Sequence, residues 1–277
     1  MSKFISFLLA IIITATAVAI SSGKTATNTP AEKRINSLDE TEHFEKLYPF
    51  NANGSIDLGN INGSIVIEAW DSPQIKFEYD KVAGSRERLA DVEVQIEAGQ
   101  DSFRVKTDYS NQKKGNWNWD DGGKLYVNFR LTVPRTAVLD KVRSVNGDIT
   151  LADMTNAVNV SAVNGNIMAR NLSGALKIST VNGKVNAELT QVMTGSEIKL
   201  STVNGTVNLF LPNYVDAAFD GSTVNGSITS DFGLTVTKKK YGSGSSLSGT
   251  LGSGSSKIRL SSVNGTIAVK QGRAVNL

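Results

Sequence analysis

The chain has 277 residues, 40% of them hydrophobic and 20% charged, and its Lys+Arg 29 against Asp+Glu 26 leave a formal charge of +3. That balance excludes an electrostatic grip on nucleic acid, and the composition is that of a folded chain rather than a disordered or fibrous one. There is no cysteine and a single histidine. Disulfides, thiolate metal sites, a cysteine nucleophile and a lipid-bearing cysteine are therefore excluded. His43 alone leaves little room for histidine-based zinc sites or acid–base catalysis, so no cofactor and no metal are expected.

Taken in chain order, residues 1–22 read as a signal peptide. Lys3 precedes an apolar run from Phe4 to about Ile13, and small residues follow, with Ala17-Val18-Ala19 and Ala15-Thr16-Ala17 as cleavage patterns. Export to the periplasm, the outer cell surface or the medium is the expectation. The alternative is an uncleaved N-terminal anchor or peripheral membrane association, since Phe4 to Ile20 approaches the minimum bilayer span. Residues 23–40, polar and holding Pro30, read as a leader or linker.

From 41 to 134 the texture is that of short strands, predicted to form an antiparallel β section. Ile56 and Leu58, Ile65 and Ile67, Ile75 with Phe77 and Tyr79, and Val127 with Phe129 and Leu131 recur with a period of two. Within it, "NQKKGNWNWDDGG" places Trp117 and Trp119 two apart, beside Asp120 and Asp121. An exposed pair of this kind would stack on sugar rings, with the carboxylates on hydroxyls or Ca²⁺. The competing reading is a hairpin whose tryptophans pack against the rest of the chain, because Trp is usually well buried. The two aspartates lack the spaced oxygens of an EF-hand loop.

Beyond Pro134, residues 135–277 repeat. Asn-Gly pairs stand at Asn146-Gly147, Asn164-Gly165, Asn182-Gly183, Asn204-Gly205, Asn225-Gly226 and Asn264-Gly265; subtraction of the glycine positions gives steps of 18, 18, 22, 21 and 39. A period near 20 residues holding two short strands predicts a β-solenoid with Asn-Gly corners, the asparagines stacked in an amide ladder. Val145, Val163, Val181, Val203, Val224 and Val263 before the corners are expected to point inward. So are Ile149, Ile167, Val185, Val207, Ile228 and Ile267 after them. The long last step is about two periods with one Asn-Gly missing, and by its Gly/Ser density the segment 235–258 within it reads as a flexible insertion. A string of separate hairpins is the alternative.

These stretches, from "HFEKLYPF" and "NINGSIVIEAWD" through "RLTVPRTAVLDKVRSVNGDITL" to "GTLGSGSSKIRLSSVNGTI", resemble the bacterial adhesin-type domain family of secreted repeat proteins that includes the toast-rack domains. The resemblance covers residue 42 to the C-terminus. It implies a right-handed solenoid-like fold, residence in the cell envelope and no enzymatic reaction, and it supplies no catalytic or ligand residues. The expected whole is all-β: an antiparallel section leading into a right-handed stack, with 41–277 one continuous domain. It is expected to act as a non-enzymatic binding, adhesion or scaffolding surface for an envelope polysaccharide or protein. Two other readings stand beside it: a polysaccharide-acting enzyme on a β-helix, signalled by carboxylates and Lys or Arg in one groove, and a self-assembling envelope protein that stacks end to end. Lys270 and Arg273 near the C-terminus would discourage stacking there.

Overall fold

Alternation of apolar and polar side chains gives strands throughout, because each strand buries one face and leaves the other in water. The computed structural model describes residues 39–111, 124–238, 240 and 242–272, which lie within the compact unit Ser37–Leu277. The signal-type segment 1–22, nearly all of the leader 23–40, and Trp117, Trp119, Asp120, Asp121 and Arg273 lie outside the described residues.

The first strands are β1 (Glu40–Pro49), β2 (Ser55–Asn62), β3 (Ile65–Trp70), β4 (Gln74–Ala83), β5 (Glu93–Ala98), β6 (Ser102–Asp108) and β7 (Leu125–Pro134). The repeats begin with β8 (Val138–Asn146), β9 (Ile149–Ala152), β10 (Val158–Asn164) and β11 (Ile167–Leu172). They continue as β12 (Leu176–Asn182), β13 (Val185–Leu189), β14 (Glu197–Asn204) and β15 (Val207–Leu211). Last come β16 (Ala217–Asn225), β17 (Ile228–Ser230), β18 (Thr235–Lys238), β19 (Ser245–Leu251), β20 (Ser256–Asn264) and β21 (Ile267–Gln271).

Two sheets result. Sheet I runs β1-β4-β7-β3-β9-β11-β13-β15-β21-β17, and sheet II runs β18-β19-β16-β20-β14-β12-β10-β8-β2-β6-β5. Each Asn-Gly corner carries the chain from a strand of sheet II to one of sheet I. Coils then stack in parallel and in register, Asn146 beside Asn164, Asn182 and Asn204, and Ile149 beside Ile167, Val185 and Val207. The residues after the corners form a dry column, with Ile149, Ile167, Val185, Val207 and Ile267 all at 0% exposure. Leu139, Val158, Leu176, Ile198 and Ile258, likewise buried, belong to the facing sheet. Burying each such side chain stabilises the fold by ~1.5–3 kcal/mol.

At the N-terminal end the core becomes aromatic. Phe77 packs edge-on against Phe103 at 5.7 Å and Phe129 at 5.4 Å, and Phe44 stacks on Tyr79 at 4.8 Å. Burial pushes the Tyr79 hydroxyl up to about 12. These larger rings fill the end of the stack, where β1, β4 and β7 pair antiparallel.

Three features differ from the expectation. The section 41–134 is mixed rather than antiparallel: β2 and β3 pair in parallel with β8 and β9 on one side and with β6 and β7 on the other. Asn62-Gly63 is thus a corner of the same stack. Period-two alternation is common to a hairpin and a parallel coil, so it does not separate them.

The order of coils also departs from the order of the chain. β20 lies between β14 and β16, and β21 between β15 and β17. The 39-residue step is a detour, in which β18 and β19 pair antiparallel alongside β16 instead of forming a coil. Lys270 consequently lies in an interior layer and guards no end. The returning chain is fastened by Asp216, whose Oδ1 accepts hydrogen bonds from the Gly254 N–H at 2.7 Å and the Ser255 N–H at 3.2 Å. The Ser253 hydroxyl donates to its Oδ2 at 2.9 Å. The Ser255 N–H and then the Ser253 hydroxyl hold this carboxyl down at about 2.

The third difference concerns the valines before the corners. They point outward, with Val145, Val181 and Val203 each 39% exposed. The strand ends on an asparagine at the corner, and the alternation inherited from the buried residues earlier in the strand places the preceding valine on the outer face.

Candidate functional site

The corners are built by close approach between layers. A Cβ on Gly165, whose φ lies outside the left-handed range, would still stand 2.2 Å from the carbonyl oxygen of Gly147. At Gly205 both constraints act, with φ +155° and the Gly183 oxygen 1.9 Å from an added Cβ. Buried hydroxyls underneath satisfy the carbonyls: Thr180 donates to Gly165 at 2.9 Å and Thr202 to Gly183 at 3.1 Å.

Outside each glycine runs the asparagine ladder. Asn146 donates through Nδ2 to Asn62 Oδ1 at 2.9 Å, Asn164 to Asn146 at 2.9 Å, and Asn182 to Asn164 at 2.8 Å. Asn204 follows at 2.9 Å, Asn264 donates to Asn204 at 2.8 Å, and Asn225 to Asn264 at 2.9 Å. The Ser243 hydroxyl closes the column on Asn225 at 2.7 Å. Each interior asparagine thus both donates and accepts within the ladder, which gives it a structural role.

The outer face of sheet II is different in kind. Its first column is apolar: Ile61, then Val145, Val163, Val181, Val203, Val263 and Val224, between 38% and 52% exposed. Two residues back along each strand lies a column of serines, Ser161, Ser179, Ser201, Ser261 and Ser222, in register and headed by Arg143. Two further back stand Asn159, Lys177, Lys199, Arg259 and Asp220. Columns lie roughly 6.7 Å apart along the strands and layers about 4.8 Å apart across them. Ser161, Ser179, Ser201 and Ser261 are half-buried. Among the described residues, their hydroxyls make no hydrogen bond, and Lys177 and Lys199 make no salt bridge. Arg259 is paired with Glu197.

Beside the lysines, a shallow groove of about 240 Å³ is lined by Leu139, Asp140, Asn159, Lys177, Glu197 and Lys199. It is smaller than the ~300–1,000 Å³ common for small-molecule pockets. Two carboxylates and two amines thus share one groove, the arrangement that would signal an enzyme. Both carboxylates are exposed, however, and Glu197 is engaged by Arg259. A carboxylic acid that protonates a leaving group is instead kept neutral by an apolar pocket.

The family model described as Toastrack DUF4097 matches residues 91–270, well over half of the chain. The chain belongs to this family. No curated protein matches it. Among solved structures, this Toastrack chain is similar to a candidate cell adhesion protein from Clostridium sporogenes, at 13% identity and a TM-score of 0.48 over 84% of this chain and 100% of that one. A candidate adhesin from Bacteroides fragilis is 14% identical, with a TM-score of 0.42 over 82% of this chain and 97% of its own. A candidate lipid-binding protein from Parabacteroides distasonis is 9% identical, with a TM-score of 0.33 over 86% and 96%.

His43, the single histidine of the sequence, pairs in the Toastrack fold with Asp80 at 2.7 Å. With Glu45 and Glu78 it forms a group of potential metal ligands on β1 and β4. Lys76 already stands 3.4 Å from Glu45 and 3.2 Å from Glu78, so a cation of the chain neutralises those carboxylates. The serine column and its lysines were not singled out in the sequence. Their signal is present nonetheless: "KISTVNG", "KLSTVNG" and "RLSSVNG" share a basic residue, a serine and a valine at alternate positions before Asn-Gly.

Proposed function

We propose that the chain is an exported, non-enzymatic protein of the cell envelope whose outer sheet II face binds an extended surface polymer in an adhesive or scaffolding role. One observation carries this reading: among the described residues, a row of serine hydroxyls without internal partners runs across several layers, between exposed valines and lysines without salt bridges. A catalytic site concentrates its chemistry at one point, whereas this surface repeats the same groups layer after layer. A surface of that kind suits a ligand that is itself a repeat. The apolar run and small residues of 1–22 support export, and the solvent-exposed, ion-paired state of Glu197 favours binding over glycosidic chemistry.

End-to-end assembly is the weaker reading. The edge strands are short or charged, with β17 only three residues long and β1 bearing Glu40, Glu42, Glu45 and Lys46, features that oppose pairing with another edge.

The test is cell fractionation together with retention of the purified chain on a panel of envelope and extracellular polysaccharides. Recovery outside the cytoplasm and saturable retention on at least one polymer are expected. A Trp117→Ala/Trp119→Ala variant should still be retained, because the sheet II face is intact in it. Loss of retention in that variant would move the site to the tryptophan loop. Cytoplasmic residence with no retention on any polymer would overturn the proposal.

A further inference from the structure

We infer that the polymer is an anionic linear glycan, one carrying a carboxylate on its sugar residues, and that it lies along the stack in the serine-floored channel. This rests on the proposed binding role of the same face and adds the ligand's chemistry and direction.

The channel follows from the sizes of the side chains in register. Ser161, Ser179, Ser201 and Ser261 form a low floor over four successive layers. The exposed valines of the same strands form one wall. Asn159, Lys177, Lys199 and Arg259 form the other. The walls are four residues apart along each strand, roughly 13 Å between Cα atoms. Once their side chains fill part of that width, a single polymer chain fits between them.

Three chemistries are offered side by side, and an acidic sugar presents the same three. Its ring carbons have an apolar face for valine methyls, and its hydroxyls match serines whose hydroxyls have no hydrogen-bond partner among the described residues. Its carboxylate matches the basic wall. A neutral glucan would leave that wall unused, and an acidic peptide would leave the serines without a regular array of hydroxyls.

The charges carry the argument further. Lys177 and Lys199 are directly opposite one another on neighbouring strands, a like-charge contact that destabilises a sheet. Neither is relieved by a salt bridge among the described residues, and Arg143 heads the serine floor. An anion along the channel would relieve this repulsion. Carboxylates limit the basic segment, with Asp140 at the groove beyond Asn159 and Asp220 in register after Arg259, while Glu197 on the β14 layer is taken up by Arg259 and leaves the two lysines to the ligand. The strongest binding should therefore span the β12, β14 and β20 layers.

The experiment uses the purified chain with three polymers of matched length, a homopolymer of galacturonic acid, a neutral β-glucan and polyglutamate, and with anionic phospholipid vesicles. Two variants accompany it, Lys177→Ser/Lys199→Ser, which removes charge, and Ser179→Leu/Ser201→Leu, which fills the floor and leaves the charge. Circular dichroism confirms that each variant is folded. Saturable binding of the polyuronate is expected, weakening with salt. In the lysine variant it should be about ten-fold weaker, the scale for losing two exposed charge contacts, and the leucine variant should show a comparable loss.

Polyuronate binding unchanged in both variants would overturn the inference. So would a loss confined to the lysine variant, or equal binding of polyglutamate or vesicles, since each would reduce the face to a general anion attractor. Binding of the neutral glucan alone would sink this inference and leave the polymer-binding role standing. Retention of none of the probes or of the wider polysaccharide panel would remove both.

Discussion

From β8 to β15 the coils stack in the order in which the chain makes them; from β16 to β21 they do not. The same corner motif, the same buried columns and the same asparagine ladder serve both regions. Yet the last coil, β20–β21, is threaded between two that precede it. The difference separates two kinds of information. The corner specifies how one coil is built and which face of its strands is buried. It does not specify which coil lies next to it, because every coil offers its neighbours the same register. In the reordered region that choice is made elsewhere, by the β18–β19 detour and by Asp216, which ties the chain entering β16 to the chain entering β20.

Removing the last coil tests the comparison most severely. Truncation before Ser256 deletes the buried Ile258, Leu260, Ile267 and Val269 from the interior of the stack. At ~1.5–3 kcal/mol for each side chain, the loss is comparable to the ~5–15 kcal/mol stability of a typical domain. A thermal melt followed by circular dichroism should show no cooperative transition. A truncated chain that melts like the full one would mean that β16 docks on β14 without difficulty and that the interleaving contributes little.

The corner rule is tested next by Gly205→Ala. The added Cβ would meet the Gly183 oxygen at 1.9 Å with φ at +155°, and a destabilisation of ~2 kcal/mol or more is expected in urea unfolding. Gly233→Ala, where an added Cβ has nothing within 4 Å, should stay within ~0.5 kcal/mol. Equal effects at the two sites would show that layer spacing does not impose the glycine.

Within one coil, Val185→Ala and Val181→Ala compare the inner and outer faces. Val185 is fully buried and Val181 is 39% exposed. The first substitution should cost about 2 kcal/mol and the second within ~0.5 kcal/mol. Similar unfolding midpoints for the two variants would contradict the assignment of the outward column.

The smallest expected effect is that of pH at the clamp. The folded Asp216 carboxyl is held at about 2, below its ordinary 3.8. Its contribution to stability is therefore present above pH 4 and disappears as pH falls through 2. The melting temperature of the wild-type chain should drop more across that window than that of Asp216→Asn. Parallel declines would remove the clamp from the account of the interleaved coil.

Much of this was legible because it is local. Val-Asn-Gly followed by Ile or Val gave the corner, and the period near 20 residues gave a stack. The residues after each corner could be placed inside because they alternate with polar neighbours. The valines before the corners could not, since a β-branched residue suits a strand on either face. Asn62-Gly63 stands outside the repeat that the sequence shows, because nothing in one isolated copy shows that it aligns with corners more than 80 residues later. The candidate face was legible only in part. The basic residue and the serine repeat in "KISTVNG", "KLSTVNG" and "RLSSVNG", but three similar heptapeptides become a channel only when their strands lie side by side.

The sequence by itself determined the all-β character, the solenoid coil and its Asn-Gly corners, since each depends on residues within a few positions of one another. The tertiary structure alone decided the order of the layers, the inclusion of β2–β3 and β6–β7 in the stack, and the juxtaposition of Ser179, Ser201 and Ser261 across the outer face. The physical reason is common to all three. Parallel pairing between coils is made by backbone groups that every residue carries, so its register leaves little trace in any one segment. Only the packed whole selects which coils are neighbours.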